Sequence, residues 1–297
     1  MIIRASLATA SMLGLKNLRM DAKMTTLYFL IDGICRGNCL YCHQKNGYLA
    51  RIKWPQYEFK EVKKRIGLAK AKRICIQSLY GYEDVLLHFV KELKEFNIPI
   101  SVSINAVDEK KMKHLKENGV ERVGIGLDCF SPEIFEKWKK GVPSWNEYMN
   151  ALKNAKKIFG KATCHLIAGL GESDEDAIKL MKKIAEMGIK IALFPYSKES
   201  KTVISLPRYR VLQIASYIIE NRSGKILLDN GKIVEVEVSS FSKKAFLTSG
   251  CPDCNRPFYN EGVRKIYNYP YEINEEQMKK ALEEANNYAR VYITSEC

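Results

Sequence analysis

No stretch of the 297-residue sequence approaches the roughly 18 to 20 consecutive apolar residues that a membrane-spanning helix needs. The best candidates, such as Ile98 to Ile104, are broken by polar residues. The first 24 residues are mildly amphipathic and basic, without the continuous apolar segment or small-residue cleavage pattern of a secretory signal. A soluble, cytoplasmic chain with no membrane partner is expected. Glycine and proline number only 18 and 9, which excludes a collagen-like or low-complexity chain. With 46% hydrophobic and 28% charged residues, there is enough apolar material for a sizeable core. Acidic residues are in short supply: 34 Asp plus Glu face 48 Lys plus Arg, a net charge of +14. That imbalance favours acidic partners, whether nucleic acid, anionic membrane or an acidic protein. Most lysines fall at helical spacing, as in 59–72, 110–116 and 179–190, which is also how a solvated outer face looks. A zinc-dependent nucleic-acid module would need paired zinc half-sites or an aromatic-basic RNA-binding signature, and neither is present, so no nucleic-acid partner is expected.

Cysteine, by contrast, is abundant. Nine cysteines in a chain expected to be cytoplasmic are poor candidates for disulfides and better ones for metal ligation or burial. Cys35, Cys39 and Cys42 form one cluster and Cys251 with Cys254 a second, whereas Cys75, Cys129, Cys164 and Cys297 stand alone. Between the clusters, short β-branched runs alternate with amphipathic segments, the pattern of repeated βα units. Six strands are predicted, at 25–32, 73–79, 98–106, 122–128, 162–168 and 189–196, each apolar enough to be buried on both faces. Helix starts are marked by Asp108, by Ser131 with Pro132, and by Ser173. The predicted fold class is therefore α/β: a partial (β/α)6 TIM-type barrel over 25–222, an N-terminal extension at 1–24 and a cysteine-bearing C-terminal appendage at 223–297. The appendage opens with a hairpin around Asp229-Asn230-Gly231 and closes with a helix over 274–288.

Cys35-Arg-Gly-Asn-Cys39-Leu-Tyr-Cys42 follows the first predicted strand, where a barrel places its active-site groups. Structural zinc sites usually close with four ligands, and His43 would be the fourth here; an iron-sulfur cluster can use three thiolates and leave one iron open. The segment, including Tyr41 before the third cysteine, resembles the cluster motif of the radical S-adenosylmethionine (SAM) enzymes. The resemblance implies a 4Fe-4S cluster on Cys35, Cys39 and Cys42 whose open iron chelates S-adenosyl-L-methionine. Reductive cleavage would then generate a 5′-deoxyadenosyl radical, with the protein orienting and shielding the cofactor.

Further cofactor contacts are implied at later strand ends. His165-Leu-Ile167-Ala-Gly169-Leu-Gly171-Glu172 resembles the family's G-x-I-x-G-x-x-E element near the adenine, with His165 in place of the first glycine. Gly126-Leu127-Asp128 resembles the N-L-D strand end of biotin synthases, which makes Asp128 either a ribose contact or a helix cap before Ser131. Gln77 and Ser78 lie where the family receives the methionine amino group, although the common G-G-E form is absent. Asn105 is either a polar group on the same face or a turn residue.

Cys251-Pro-Asp-Cys254 is half of a metal site. Cys75 is either its third ligand, as a biotin synthase cysteine is at the equivalent strand end, or a plain buried thiol. Cys164 is out of register with another such ligand and reads as core, and Cys129 and Cys297 read as incidental. The N-terminal Arg4 to Lys16 and the tail from Cys251 to Pro270 resemble a biotin synthase-like group that includes two-protein, archaeal-type lipoyl synthases. Single-chain lipoyl synthase would carry an extra three-cysteine motif and an R-S-S-Y ending, both missing here. The resemblance implies a sulfurtransferase with two clusters, inserting sulfur into the octanoyl chain of an acidic carrier protein. A paralogous subunit and an electron donor such as ferredoxin are implied as further partners. The alternative is a biotin synthase-like or other radical enzyme acting on a small molecule, with a redox or structural tail cluster. If the tail covers the barrel mouth, Arg256, Tyr259 and Glu261 become substrate-side candidates.

Overall fold

The computed structural model describes residues 1–198, 201–259 and 261–294; Cys297 lies outside them. Among the described residues no helix is long and apolar enough to cross a membrane. Six parallel strands form the core sheet: Thr26–Ile31, Arg73–Gln77, Ile100–Ile104, Val120–Asp128, Ala162–Ala168 and Lys190–Pro195, side by side in chain order. Helices Glu83–Leu93, Glu109–Glu117, Trp145–Phe159, Asp174–Glu186 and Leu206–Asn221 pack outside, giving the partial (β/α)6 barrel the sequence predicts. Reciprocal capping at Ser144/Glu147 and Ser173/Asp176 fixes the starts of two of them by satisfying orphan backbone N–H groups.

The strands are not apolar on both faces. Along Arg73-Ile-Cys-Ile-Gln77, Ile74 and Ile76 join the outer core while Cys75 and Gln77 face a central cavity. Along Ala162–Ala168, Cys164 and Leu166 go outward and His165 and Ile167 inward. Ile100 and Val102 alternate with Ser101 and Ser103 in the same way. The period-2 alternation of a strand therefore separates a packed layer under the helices from a polar barrel interior. Gly124 belongs to that interior: a Cβ there would sit 2.5 Å from His165 Nε2, so the glycine makes room for the imidazole.

Part of the N-terminal segment is integral to the sheet. Ile2–Ala5 pairs antiparallel with both Thr26–Ile31 and Gln56–Glu58, covering the edge of the first barrel strand. The C-terminal segment builds a small sheet from Gly224–Asp229, Lys232–Val238 and Arg290–Ile293, then packs helix Glu275–Asn286 on Leu206–Asn221. It does not cover the mouth. The Pro252–Asn255 turn plugs the opposite, N-terminal end of the barrel: Thr25 and Thr26 hydroxyls donate to Asp253 O, and Arg73 Nε donates to Pro252 O. These donors stand at the starts of their strands, and their otherwise unpaired polar groups make the barrel floor the complementary seat for a polar turn.

Arg210 secures this arrangement. It is fully buried and donates to Glu284, Gln213 and the carbonyls of Ile266 and Tyr267. Arg210→Ala would leave the Glu284 carboxylate and the Ile266 carbonyl without this partner and Tyr267 O with Gln213 alone, so unfolding stability is expected to fall by about 3 to 5 kcal/mol. A urea-denaturation midpoint unchanged from that of the wild type would contradict this.

Candidate active site

The loop after the first barrel strand is held by its neighbours on both sides. Arg36 N–H donates to Tyr80 O (3.1 Å), Asn38 N–H to Lys140 O (2.7 Å) and Leu40 N–H to Trp138 O (2.8 Å). Gly37 is pressed against Val142, whose Cγ1 would lie 2.7 Å from an added Cβ. The loop is thus braced so that Cys35, Cys39 and Cys42 all line the cavity at the C-terminal mouth. Burial pushes the Cys39 thiol up, opposed in part by Lys139, and pushes Cys42 up to about 12. Binding a metal centre would displace these protons.

Below the loop, Asp128 ends its strand at a register irregularity with φ +66°. Its Oδ2 accepts from Tyr41 Oη at 2.5 Å and from Lys139 Nζ at 2.8 Å. Lys139 is buried, also donates to Gly126 O, and lies 4.2 Å from the centre of the Tyr148 ring. Tyr148 Oη in turn donates to Asn105 Oδ1 at 2.6 Å. Asp128 is not the helix cap; Ser131 Oγ takes that role, accepting from Ile134 N–H. A buried ammonium needs such a partner, and both Asp128 bonds fall on one oxygen.

At the other end of the same cavity lie Cys75, Cys251 and Cys254. Cys75 is in the middle of its strand, in register between Tyr28 and Ser101, and so points into the barrel near its floor rather than at the mouth. The tail brings its C-x-x-C to it from below. Donors surround two of these sulfurs. Gln77 Nε2 donates to Cys75 Sγ at 3.1 Å and Tyr28 Oη to Cys254 Sγ at 3.4 Å. Thr163 Oγ1 lies 4.0 Å from Cys251 Sγ, and Arg256 Nη1 lies 3.9 Å from Cys254 Sγ. Tyr28 can point at Cys254 because its own oxygen accepts from the N–H groups of Asn255 and Arg256. Such surroundings suit thiolates better than thiols. As free thiols, Cys75 and Cys251 are pushed up by burial. Among the described residues no three His, Cys, Asp or Glu side chains form a group tight enough for a single metal ion.

Of the predicted cofactor contacts, Tyr41, Gln77, Asp128 and Ile167 face the cavity, as do Ser78 and Asn105. Gly169 and Glu172 do not. Glu172 is buried behind the wall, accepting from the Gly169 and Leu170 N–H groups and pairing with Arg208, so it shapes the turn rather than meeting a ligand. Cys129 and Cys164 pack in the core. Arg256 and Tyr259 line the cavity from the floor, whereas Glu261 is buried away from it, accepting from Asn268 N–H. Ser249 Oγ is occupied by Leu193 N–H. The sequence reading left His165 unassigned and did not single out Tyr28 or Lys139. The inward register of Tyr28 was available from strand alternation, but Lys139 and Asp128 are brought together only by the helix between them.

Two sets of three cysteines, at opposite ends of a cavity through a partial parallel barrel, define a metal-cofactor enzyme architecture. The radical SAM superfamily signature matches residues 31–184, and the chain belongs to that superfamily. Membership implies a 4Fe-4S cluster and S-adenosyl-L-methionine, and three thiols on a braced loop fit such a cluster. Among curated proteins, the biotin synthase of Persephonella marina is 30% identical over 172 residues, covering 53% of this chain and 49% of that one. The biotin synthase of a Hydrogenobaculum species is 29% identical over 218 residues, covering 68% and 60% respectively. The chain thus spans roughly half to three-fifths of the length of these relatives. Among solved structures, methylornithine synthase (PylB) superposes with a TM-score of 0.53 at 13% identity, over 96% of this chain and 88% of that one, a likeness of fold.

His165 stands between the two cysteine sets, its Nδ1 3.3 Å from Ser103 Oγ and its ring against Phe194. Burial lowers its pKa to about 4, assisted by Arg256 and Lys139 against the opposing pull of Asp128. In the unfolded chain the imidazole protonates near the usual value of about 6.5. Between the two values the unfolded state binds more protons, so stability falls as pH drops through this window. The loss is expected to be on the order of 2 kcal/mol, reduced from the full linkage because the ring faces a cavity. Urea titrations of wild type and His165→Gln at pH 7 and pH 4.5 check it: the difference in stability between the two proteins should narrow at the lower pH.

Proposed function

We propose that this chain is a sulfur-inserting radical SAM enzyme of the lipoyl synthase type. Cys35, Cys39 and Cys42 would hold the radical-generating cluster, and Cys75, Cys251 and Cys254 an auxiliary cluster that is the sulfur source. The observation that carries the reading is the opposition of the two cysteine sets across one cavity. A substrate lying between them would present one carbon to the mouth for hydrogen abstraction and to the floor for sulfur. When bound, the first cluster with S-adenosyl-L-methionine supplies a 5′-deoxyadenosyl radical.

The chain's own residues set the geometry. Tyr41 and Lys139 orient the Asp128 carboxylate beneath the loop, where a ribose would be met. Ile104, Val142, Ile167 and Phe194 give the cavity an apolar wall suited to an extended acyl chain and exclude water from a carbon radical. At the entrance, Ile34 and Leu40 are 73% and 59% exposed beside the exposed Arg36 and Lys140. An apolar and basic rim, with the +14 charge behind it, suits docking of a small acidic carrier bearing an octanoyl-lysine. A paralogous subunit would serve the second carbon, and a ferredoxin-like protein would supply electrons. Similarity to biotin synthases supports the second reading, sulfur insertion into a small molecule at the same site.

After anaerobic reconstitution the wild type is expected to hold about eight iron per chain and the Cys251→Ala, Cys254→Ala double variant about four. With S-adenosyl-L-methionine and reductant, octanoylated carrier should gain the mass of sulfur with the wild type only, while the double variant still forms 5′-deoxyadenosine. Sulfur incorporation into dethiobiotin instead would select the second reading; about four iron in both proteins would defeat both.

A further inference from the structure

The floor of the barrel carries positive charge that the protein itself leaves uncompensated. Arg73, at the start of its strand, is buried, but it is paired with Glu121 at 2.7 Å and donates to Ser101 Oγ at 2.8 Å. Arg122, 7% exposed, donates Nη1 to Thr163 Oγ1 at 3.4 Å and leaves Nε buried without a partner. Arg256 lies with its guanidinium 4.0 Å from the centre of the Phe194 ring and donates Nη1 to Ser249 O, while Nη2 is buried without a partner. Among the described residues neither Arg122 nor Arg256 forms an ion pair. Glu121 is engaged by Arg73 and Lys161, and Glu261 is turned towards Asn268 N–H.

A buried guanidinium, Arg122, and a half-buried one, Arg256, stand beside the floor sulfurs with no ion-pair partner among the described residues, an arrangement that is costly unless an anion joins them. Thr163 links them geometrically, since its hydroxyl accepts from Arg122 and lies beside Cys251, and Arg256 reaches Cys254. Their missing counter-charge matches thiolates carrying an anionic metal-sulfur group, since among the described residues no acidic side chain forms an ion pair with either arginine.

We infer that Arg122 and Arg256 form a guanidinium cage that neutralises the anionic group held by Cys75, Cys251 and Cys254 and tunes its reduction potential, an inference that rests on the auxiliary site proposed above. Positive charge close by in a medium of low dielectric favours the reduced, more negative form and so raises the potential. Both arginines act as positioning and tuning residues through charge and N–H donation.

The test uses the Cys35→Ala, Cys39→Ala, Cys42→Ala triple variant, in which only the floor site can hold a cluster, followed by iron content and EPR-monitored redox titration. The triple variant is expected to keep about four iron per chain. In that background Arg122→Gln and Arg256→Gln should retain iron and show a more negative midpoint potential, and Arg256→Lys, which keeps the charge, should stay near the parent. An unchanged midpoint in both glutamine variants, or an equal fall in Arg256→Lys and Arg256→Gln, overturns the cage. A folded triple variant that binds no iron defeats the auxiliary-site reading itself and is distinguishable from either. Where a glutamine variant binds iron too weakly to titrate, thermal melts decide: the gap between the Tm of cluster-loaded and cluster-free protein should narrow relative to the parent, and an equal gap overturns the cage.

Discussion

The alternation of side chains along six parallel strands is the constraint on which the rest depends. A TIM-type barrel ordinarily fills its interior with layers of branched apolar side chains, and the packed layers carry much of the stability. Here the inward positions are Tyr28, Cys75, Gln77, Ser103, His165 and their neighbours, so the interior is a cavity and the burden of stability shifts outward. Ile74, Ile76, Val102, Leu166 and Leu193 pack under the helices instead, in one continuous outer core. Polar inner faces are tolerated where inner groups partner one another, as Ser103 does with His165 and Gln77 with Cys75.

An open interior has two ends, and each is closed by a different device. At the mouth a loop closes over the strands through backbone hydrogen bonds to segments 80 and 138–140, a local arrangement that depends on Gly37 approaching Val142. At the floor closure is long-range: Asn255 Nδ2 donates to Lys23 O across more than 200 residues, and Thr25 and Thr26 capture Asp253. Arg210 anchors the segment that delivers this turn, so tail packing and the placement of Cys251 and Cys254 are one problem. The chain beyond the barrel is therefore a structural part of the cavity, in the sense that without it the floor is open water.

What was legible in the sequence follows the range of the interactions. The Cys35–Cys42 spacing is local, and so is the βα alternation; strand and helix positions fall within a few residues of those predicted, down to Ala162–Ala168 itself. The Ile-Ser-Val-Ser-Ile run at 100–104 was also in view, but overall apolarity masked its period, and the polar interior was missed. Glu172, placed by motif resemblance near the cofactor, is the brace of a turn and pairs with Arg208 from a later helix, a long-range contact that the motif alone does not show. The strand Ile2–Ala5 was missed because four residues carry too little periodicity to separate a strand from an amphipathic helix. Cys75 needed the register Tyr28–Cys75–Ser101 before its side could be assigned.

The two ends also differ in electrostatics, and that difference has a functional logic. At the mouth, the buried cation Lys139 is matched by Asp128, leaving a neutral pair whose carboxylate is held in place. A neutral seat suits a cofactor such as S-adenosyl-L-methionine, whose own charges are mixed and which must enter and leave in each turnover. At the floor, Arg122 and Arg256 keep guanidinium nitrogens without partners, and Gln77 and Tyr28 donate to the sulfurs of Cys75 and Cys254. An excess of fixed positive charge suits a resident anionic group that is not exchanged through solvent. If the floor cysteines hold a metal-sulfur group as proposed, the separation of a neutral end from a cationic end would keep the redox chemistry of two such groups in one cavity from being equivalent.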